Sequence, residues 1–429
     1  MTLRLPTFVS IALSAVALLF TSACSGDSGS TPTGPAAPHG GAPSVAGVDF
    51  DGPSTMSAFD RGRFERGRAQ FQKKYKPSEG LGPLYNAVSC ESCHSAPTLG
   101  GSAPLYRNFY VAMAGEPNTP LQPQFPLPGL PSLVVPAFGD LTSLTHTLTG
   151  GRPTIPATWF GLDVHVAQRG SIPTFGVGLF EFVSDATIVA NSDPDDLDGD
   201  GISGRYNTEA GAIGRFGIKA QANNIESFTR APLMNQMGIS SNPFRGTGSV
   251  VSLGGARQGT ANPFVPLIDS DGVPDPEIAH DDLGDLIFFA SNLPAPKKQP
   301  LDAAATHGEQ LFGQIGCVLC HVPSLPSTRG PVEAYTDLLL HDMGPALADQ
   351  MSLGIPQSSS ISPEHTGDEF RTAPLWGVSS HPPFLHDGRA ETLEEAILAH
   401  GGEATAITAT FQALSPADRD DLITFLEKL

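Results

Sequence analysis

Two short strings constrain everything built around them: Cys90-Glu91-Ser92-Cys93-His94 and Cys317-Val318-Leu319-Cys320-His321. Each reads C-x-x-C-H. Thiols three positions apart can bond the two vinyl groups of one porphyrin, and the next residue then places an imidazole on the iron. Each string is therefore an attachment signal for c-type haem. Together they predict two covalently bound haem c groups, held by Cys90, Cys93, Cys317 and Cys320, with His94 and His321 on the irons. A Cys₄ zinc site would have to join pairs that lie far apart in the chain, and would leave the histidine after each pair unexplained. A redox-active C-x-x-C pair belongs in a βαβ setting that neither string has.

The fifth cysteine, Cys24, follows a different logic. Phe8 to Phe20 (FVSIALSAVALLF) is a nearly unbroken apolar run, too short to span a bilayer and of the length of a signal-peptide hydrophobic region. It leads through Thr21-Ser22-Ala23 into Cys24, which resembles a bacterial lipobox. The expectation is an exported chain, periplasmic or anchored at the outer membrane through lipid on Cys24, with ordinary signal-peptidase cleavage as the other reading. Residues 1–23 are then the leader and 24–52, rich in Gly, Ser and Pro, a flexible tether.

The formal net charge of −20 excludes nucleic acid as a partner, because phosphate recognition needs facing cations. Gly 47 and Pro 40 make up about a fifth of the chain, and aromatics only 7%. Long irregular connections are expected, with porphyrin surface supplementing a modest apolar core. Phe64, Gly67, Phe71 and Tyr75 share one helical face ahead of the first C-x-x-C-H. Gly308, Leu311 and Phe312 precede the second. The repeat predicts a mainly α fold of two cytochrome c-type haem domains, 53–295 and 296–429, with long Gly/Pro-rich loops and little strand.

Several segments resemble the bacterial diheme oxidoreductase family, also called thiol oxidoreductases and related to the diheme cytochrome c peroxidases. They are GPLYNAVSCESCHSAP (82–97), GVGLFEFVSDATIVANSDPDDLDGDGISGR (176–205), GRFGIKAQ (214–221), DLLLHDMGPALAD (337–349) and FRTAPLWGVSSHPPFLHDGRAETLEEAILAHGGEA (370–404). The resemblance implies a redox role. A bis-ligated C-terminal haem would relay electrons from a partner protein or small cytochrome to an N-terminal haem that meets peroxide or another small oxidant. A pure electron carrier is the alternative.

The candidate residues follow. Thr392 to Glu395 forms a capping-box start, and Leu393, Ala396, Ile397 and His400 fall on one face. The family's peroxidases carry the second ligand of the C-terminal haem fourteen positions after the His of the HDG motif; counting from His386 gives His400. Met343 and His341 compete for that role, and a core histidine is the plain alternative. His386 and Asp387 resemble a motif near haem propionates, or form a polar turn. Trp376 stands between haems, between haem and surface, or in the core. Glu181, inside the apolar run Val177 to Val183, matches the peroxidases' distal glutamate if it is desolvated; pairing with an arginine is the alternative. Asp196, Asp198 and Asp200, with Gly201, have calcium-loop spacing, which a solvated acidic turn would share.

Overall fold

Helices begin where the sequence supplies caps. Ser57, Ser184, Asp302, Thr392 and Ser415 each accept a hydrogen bond from the backbone N–H three residues on, satisfying a donor that the first turn leaves bare. Glu395 completes the capping box expected at Thr392. The computed structural model describes residues 56–82, 84–85, 87–103, 109–114, 146–147, 158–159, 162–209, 211–242, 273–349, 351, 353–354, 356–362 and 367–429. The helices in chain order are α1 (Ala58–Gln72), α2 (Asp185–Ala190), α3 (Ile225–Met237), α4 (His280–Ser291), α5 (Ala303–Gln314), α6 (Leu393–Leu398), α7 (Thr405–Ala413) and α8 (Pro416–Leu426). Strand is confined to short pieces: β1 (Leu84–Tyr85), β2 (Phe109–Ala114), β3 (His146–Thr147), β4 (Thr158–Trp159), β5 (Leu162–Arg169), β6 (Thr208–Glu209), β7 (Ala212–Ile213), β8 (Leu340–Asp342) and β9 (Glu369–Arg371). β5 lies between β2 and β4 in an antiparallel sheet, and β8 pairs with β9. Cys24 and the segments expected to be leader and tether (1–52) lie outside the described residues. Among those described, no helix is long and apolar enough to cross a membrane.

The same construction occurs twice. A Cβ on Gly67 would fall 2.0 Å from Asp285 O, and one on Gly308 would fall 2.0 Å from Asp421 O. Glycine thus lets α1 cross α4, and α5 cross α8, at backbone contact. One turn later Phe71 packs 5.2 Å from Phe289, and Phe312 packs 5.4 Å from Phe425. The same two phenylalanines lie 6.2 Å from the His94 ring and 6.3 Å from the His321 ring. Each helix pair therefore presents an aromatic wall to one C-x-x-C-H histidine. The two helix pairs thus repeat one construction within a mostly helical fold. At the first crossing the buried Asp285 carboxylate is held by Arg63 at 3.2 Å and Arg66 at 2.6 Å.

Among the described residues, three large apolar clusters result, beside a small one of Ala167 and Met351. One gathers Phe64, Phe71, Leu233 and Phe289 around Cys90 and Cys93. Another gathers Phe312, Phe384, Ala396, Phe411 and Phe425 around Cys317. The third draws Ala290 from α4, Phe180 and Val183 from the turn before α2, Leu338 and Leu339 from the approach to β8, and Trp376. Elements of both halves meet there.

Candidate haem sites

Both C-x-x-C-H strings open on a single 3-10 turn, Cys90–Ser92 and Cys317–Leu319. In each, the histidine N–H donates back to the first cysteine's carbonyl, at 3.0 Å for His94 and 2.9 Å for His321. Each ring then donates from Nδ1 to a backbone carbonyl: His94 to Gly101 O and His321 to Tyr335 O, both at 2.9 Å. A carbonyl can only accept, so the proton sits on Nδ1 and Nε2 keeps the lone pair that a metal requires. Burial pushes the His94 imidazole below its ordinary pKa. Burial, with a smaller contribution from His400, takes His321 down to about 4. Both rings are neutral at physiological pH, as iron ligands must be. Burial also raises the Cys90 and Cys317 thiols to about 12, and the four cysteines form no disulfide. This donor set fits haem at both positions.

His400 follows α6, and its Nδ1 donates to Ala396 O at 2.7 Å. This is the same arrangement as at His94 and His321. It again leaves Nε2 as the donor atom, and the ring lies near enough to His321 for their charges to interact. Burial holds His400 below its ordinary pKa as well. The competitor His341 is differently engaged: Nε2 meets Asp337 Oδ2 at 2.8 Å and Nδ1 meets Glu403 Oε2 at 3.0 Å. Burial opposes its charge, but Asp337, and after it Cys320, whose Sγ lies 3.6 Å from Nδ1, outweigh burial and lift the pKa well above the usual value. A buried imidazolium clamped at both nitrogens has no lone pair to offer, so His341 is a poor ligand candidate. Met343 lies just past β8, with its backbone N–H on Asp368 O.

Trp376 is buried and stacks on Phe180 at 5.3 Å and 11° in the cluster shared by the two halves. His386 stacks on Phe370 at 4.2 Å. The turn that carries it, with Leu385 and Gly388 at positive φ, is fastened to the end of β5. Gly170 N donates to His386 O at 2.7 Å, and Gln168 Nε2 donates to Asp387 O at 3.0 Å. The Asp387 carboxylate accepts from Arg389 Nε at 2.7 Å.

The desolvated carboxylate expected at Glu181 is not found. Glu181 is exposed, and its Oε1 accepts from Ile225 N at 3.0 Å, capping the first turn of α3. The apolar run around it folds as a 3-10 turn, which buries Val177, Gly178 and Phe180 and turns Glu181 outward. The acidic loop is also rearranged. Carboxylate oxygens of Asp193, Asp196 and Asp198 lie within 4.8 Å of one another, while Asp200 Oδ1 accepts from Ile202 N at 2.8 Å. Asp196 and Asp198 are thus grouped with Asp193, which the spacing did not single out.

Sequence reasoning missed the buried charges. Arg205 forks onto Glu369 at 2.5 and 2.6 Å, with both side chains almost wholly buried. Lys219, Arg169 and Asp349 form a second buried group. Lys219 sits in the quoted segment GRFGIKAQ and Asp349 closes DLLLHDMGPALAD, but a lone lysine or aspartate gives no signal of burial, and Arg169 lies outside the quoted segments.

Residues 152–429 match the family described as "Di-haem oxidoreductase, putative peroxidase". Cytochrome-c peroxidase IdrP2 of Pseudomonas sp. (strain SCT) is 29% identical over 143 residues, which cover 28% of this chain and 38% of that protein. The chain therefore matches well under two thirds of that relative's length. Two solved structures align along most of the chain. A MauG-like protein associated with microbial copper homeostasis does so at 16% identity and TM-score 0.38, covering 89% of this chain and 91% of that one. The diheme peroxidase BthA from Burkholderia thailandensis E264 does so at 14% identity and TM-score 0.40, covering 86% of each chain.

Proposed function

The chain belongs to the di-haem oxidoreductase family, and from that premise we propose that it is an exported diheme c-type cytochrome with peroxidase-like activity. Cys90 and Cys93, and Cys317 and Cys320, hold the two groups covalently. His94 ligates the N-terminal iron; His321 and His400 ligate the C-terminal iron. Bound there, haem supplies one-electron redox chemistry, with the C-terminal site as relay and the N-terminal site as the place where peroxide or another small oxidant is reduced. The observation that carries this division is an asymmetry. His400, with its Nδ1 proton on Ala396 O, lies near enough to His321 to act on its titration, whereas His94 is shifted by burial and backbone hydrogen bonds. Trp376 and Phe180 stack within the apolar cluster that draws on both halves, a water-poor region through which the two sites would communicate. A redox partner protein or small cytochrome supplies the electrons. Phe8 to Phe20 and Cys24 supply export and a lipid anchor.

The optical spectrum of the oxidised protein tests this reading. One low-spin haem and one with a high-spin component that shifts on adding peroxide is the expected result. Two low-spin haems that do not respond to peroxide would make the protein an electron carrier.

Asp193, Asp196 and Asp198 are proposed to bind calcium. The loop adjoins the C-terminal site through Ser203, whose Oγ donates to Glu403 Oε1 at 2.5 Å. Chelation should lower the thermal midpoint, as loss of any ligand specific to the folded state does. An unchanged midpoint, with no calcium in elemental analysis, would leave the loop an acidic turn.

A further inference from the structure

Arg169, the last residue of β5, is 4% exposed, and its guanidinium Nη2 has no hydrogen-bond partner. Nη1 is in ionic contact with Asp349 Oδ2, and Asp349 Oδ1 lies 3.4 Å from Lys219 Nζ. Lys219 is fully buried. Its ammonium donates to Gly367 O at 2.8 Å and Glu369 O at 2.5 Å, and stands 3.6 Å from the centre of the Phe370 ring. His386 stacks on that same ring.

The charges do not balance. Two cations face one carboxylate, Asp349. The other nearby acids are committed, Glu369 to Arg205 and Asp387 to Arg389. His386 adds no charge, since burial and then Arg169 take its imidazole down to about 4. Burial, partly offset by Asp349 and reinforced by Arg169, draws Lys219 down to about 7. A buried guanidinium with an unused fork is costly unless an anion completes it, and a carboxylate is its best geometric match.

The position of the group says which carboxylate. Five residues beyond Arg169, Thr174 N donates to Gly100 O at 2.8 Å, next to the Gly101 carbonyl that holds the His94 ring, while Gly170 N donates to the His386 carbonyl. The segment from Arg169 to Thr174 therefore runs from the loop around the N-terminal haem ligand to the buried cations. We propose that Arg169 and Lys219 form a carboxylate pocket for a propionate of the haem held by His94. This rests on the proposal that His94 carries haem. The cysteines and His94 fix that group at its vinyl edge and its iron, and the pocket would anchor the opposite, anionic edge.

Spectroelectrochemical titration of the holoprotein tests the pocket. A cation near a haem favours the ferrous state, so Arg169→Gln should lower the potential of the N-terminal haem. At the wild-type midpoint its ferrous-to-ferric ratio should fall by roughly tenfold, the scale of one charge acting through a protein interior. Arg169→Lys keeps the charge and should restore most of the ratio. Lys219→Met should move the same haem in the same direction, and serves the comparison if Arg169→Gln does not accumulate. The C-terminal haem, identified as the one that responds to His400→Met, should stay put. Unmoved potentials in Arg169→Gln and Lys219→Met, or a shift confined to the C-terminal haem, would overturn the pocket while wild-type protein still carries two haems. Wild-type protein without haem would instead overturn the reading beneath it.

Discussion

Replacing His400 with methionine should raise the potential of one haem by a sizeable part of the roughly 0.8 V that axial ligands span, and leave the other nearly unmoved. Imidazole is a stronger donor to ferric iron than a thioether, so two histidines hold a haem at lower potential than His/Met does. The geometry supports His400 as the second donor. Its Nδ1 proton is fixed on Ala396 O, and the residue lies near enough to His321 to act on its titration. Thr408 Oγ1 also donates to His400 O at 2.9 Å, tying the residue to α7. His400→Ala should add a high-spin component to the spectrum. If His400→Ala leaves both haems low-spin with unshifted potentials, His400 is a core residue. Met343 then takes the role, since both nitrogens of His341 are engaged.

His341→Leu should cost about 3–5 kcal/mol of stability, the usual penalty for leaving buried charge uncompensated. Asp337 and Glu403 would both lose their partner, and Asp337 is 1% exposed. The pH dependence has a definite sign. The folded pKa of His341 lies well above the unfolded value, so its contribution is complete below an unfolded pKa of about 6.5 and fades as pH rises through the folded pKa. Burial raises the Glu403 carboxyl, but its hydrogen bond from His341 outweighs that and holds it below the ordinary value. The Glu403 contribution is therefore present above about pH 4.3 and is lost as pH falls through its folded pKa. Denaturant unfolding across pH should show both flanks in the native protein and both flattened in His341→Leu, since the Glu403 shift depends on His341 as well. A variant within about 1 kcal/mol of the native protein would remove the cluster from the stability of the C-terminal half.

What the sequence made legible was whatever has a short local code. The C-x-x-C-H strings, the capping box at Thr392 and the G-x-x-x-F helices were all readable, because each acts through neighbours a few positions away. Gly67 and Gly308 could be seen to repeat, but not that each lets a partner helix approach to backbone contact, since α4 and α8 lie far along the chain. Glu181 was misread because an apolar run suggests burial of every member. A 3-10 turn of that run exposes one side chain, and a long-range contact with α3 decided which. Asp193 was overlooked because the loop template counts from Asp196, while the folded loop brings Asp193 back over its own turn through Leu197 N and Asp198 N. The pairing of Arg205 with Glu369, and the grouping of Arg169, Lys219 and Asp349, have no local signature. They exist only once β5, β8 and β9 are in place.

The central claim is that this chain carries two c-type haems, one on each C-x-x-C-H string. The pyridine haemochrome assay on purified protein measures that directly. Two covalently bound haems per chain are predicted, falling to one in Cys90→Ala/Cys93→Ala with the spectrum of the His321/His400 site retained. A mature protein free of haem, or one holding zinc on its cysteines, would contradict the account.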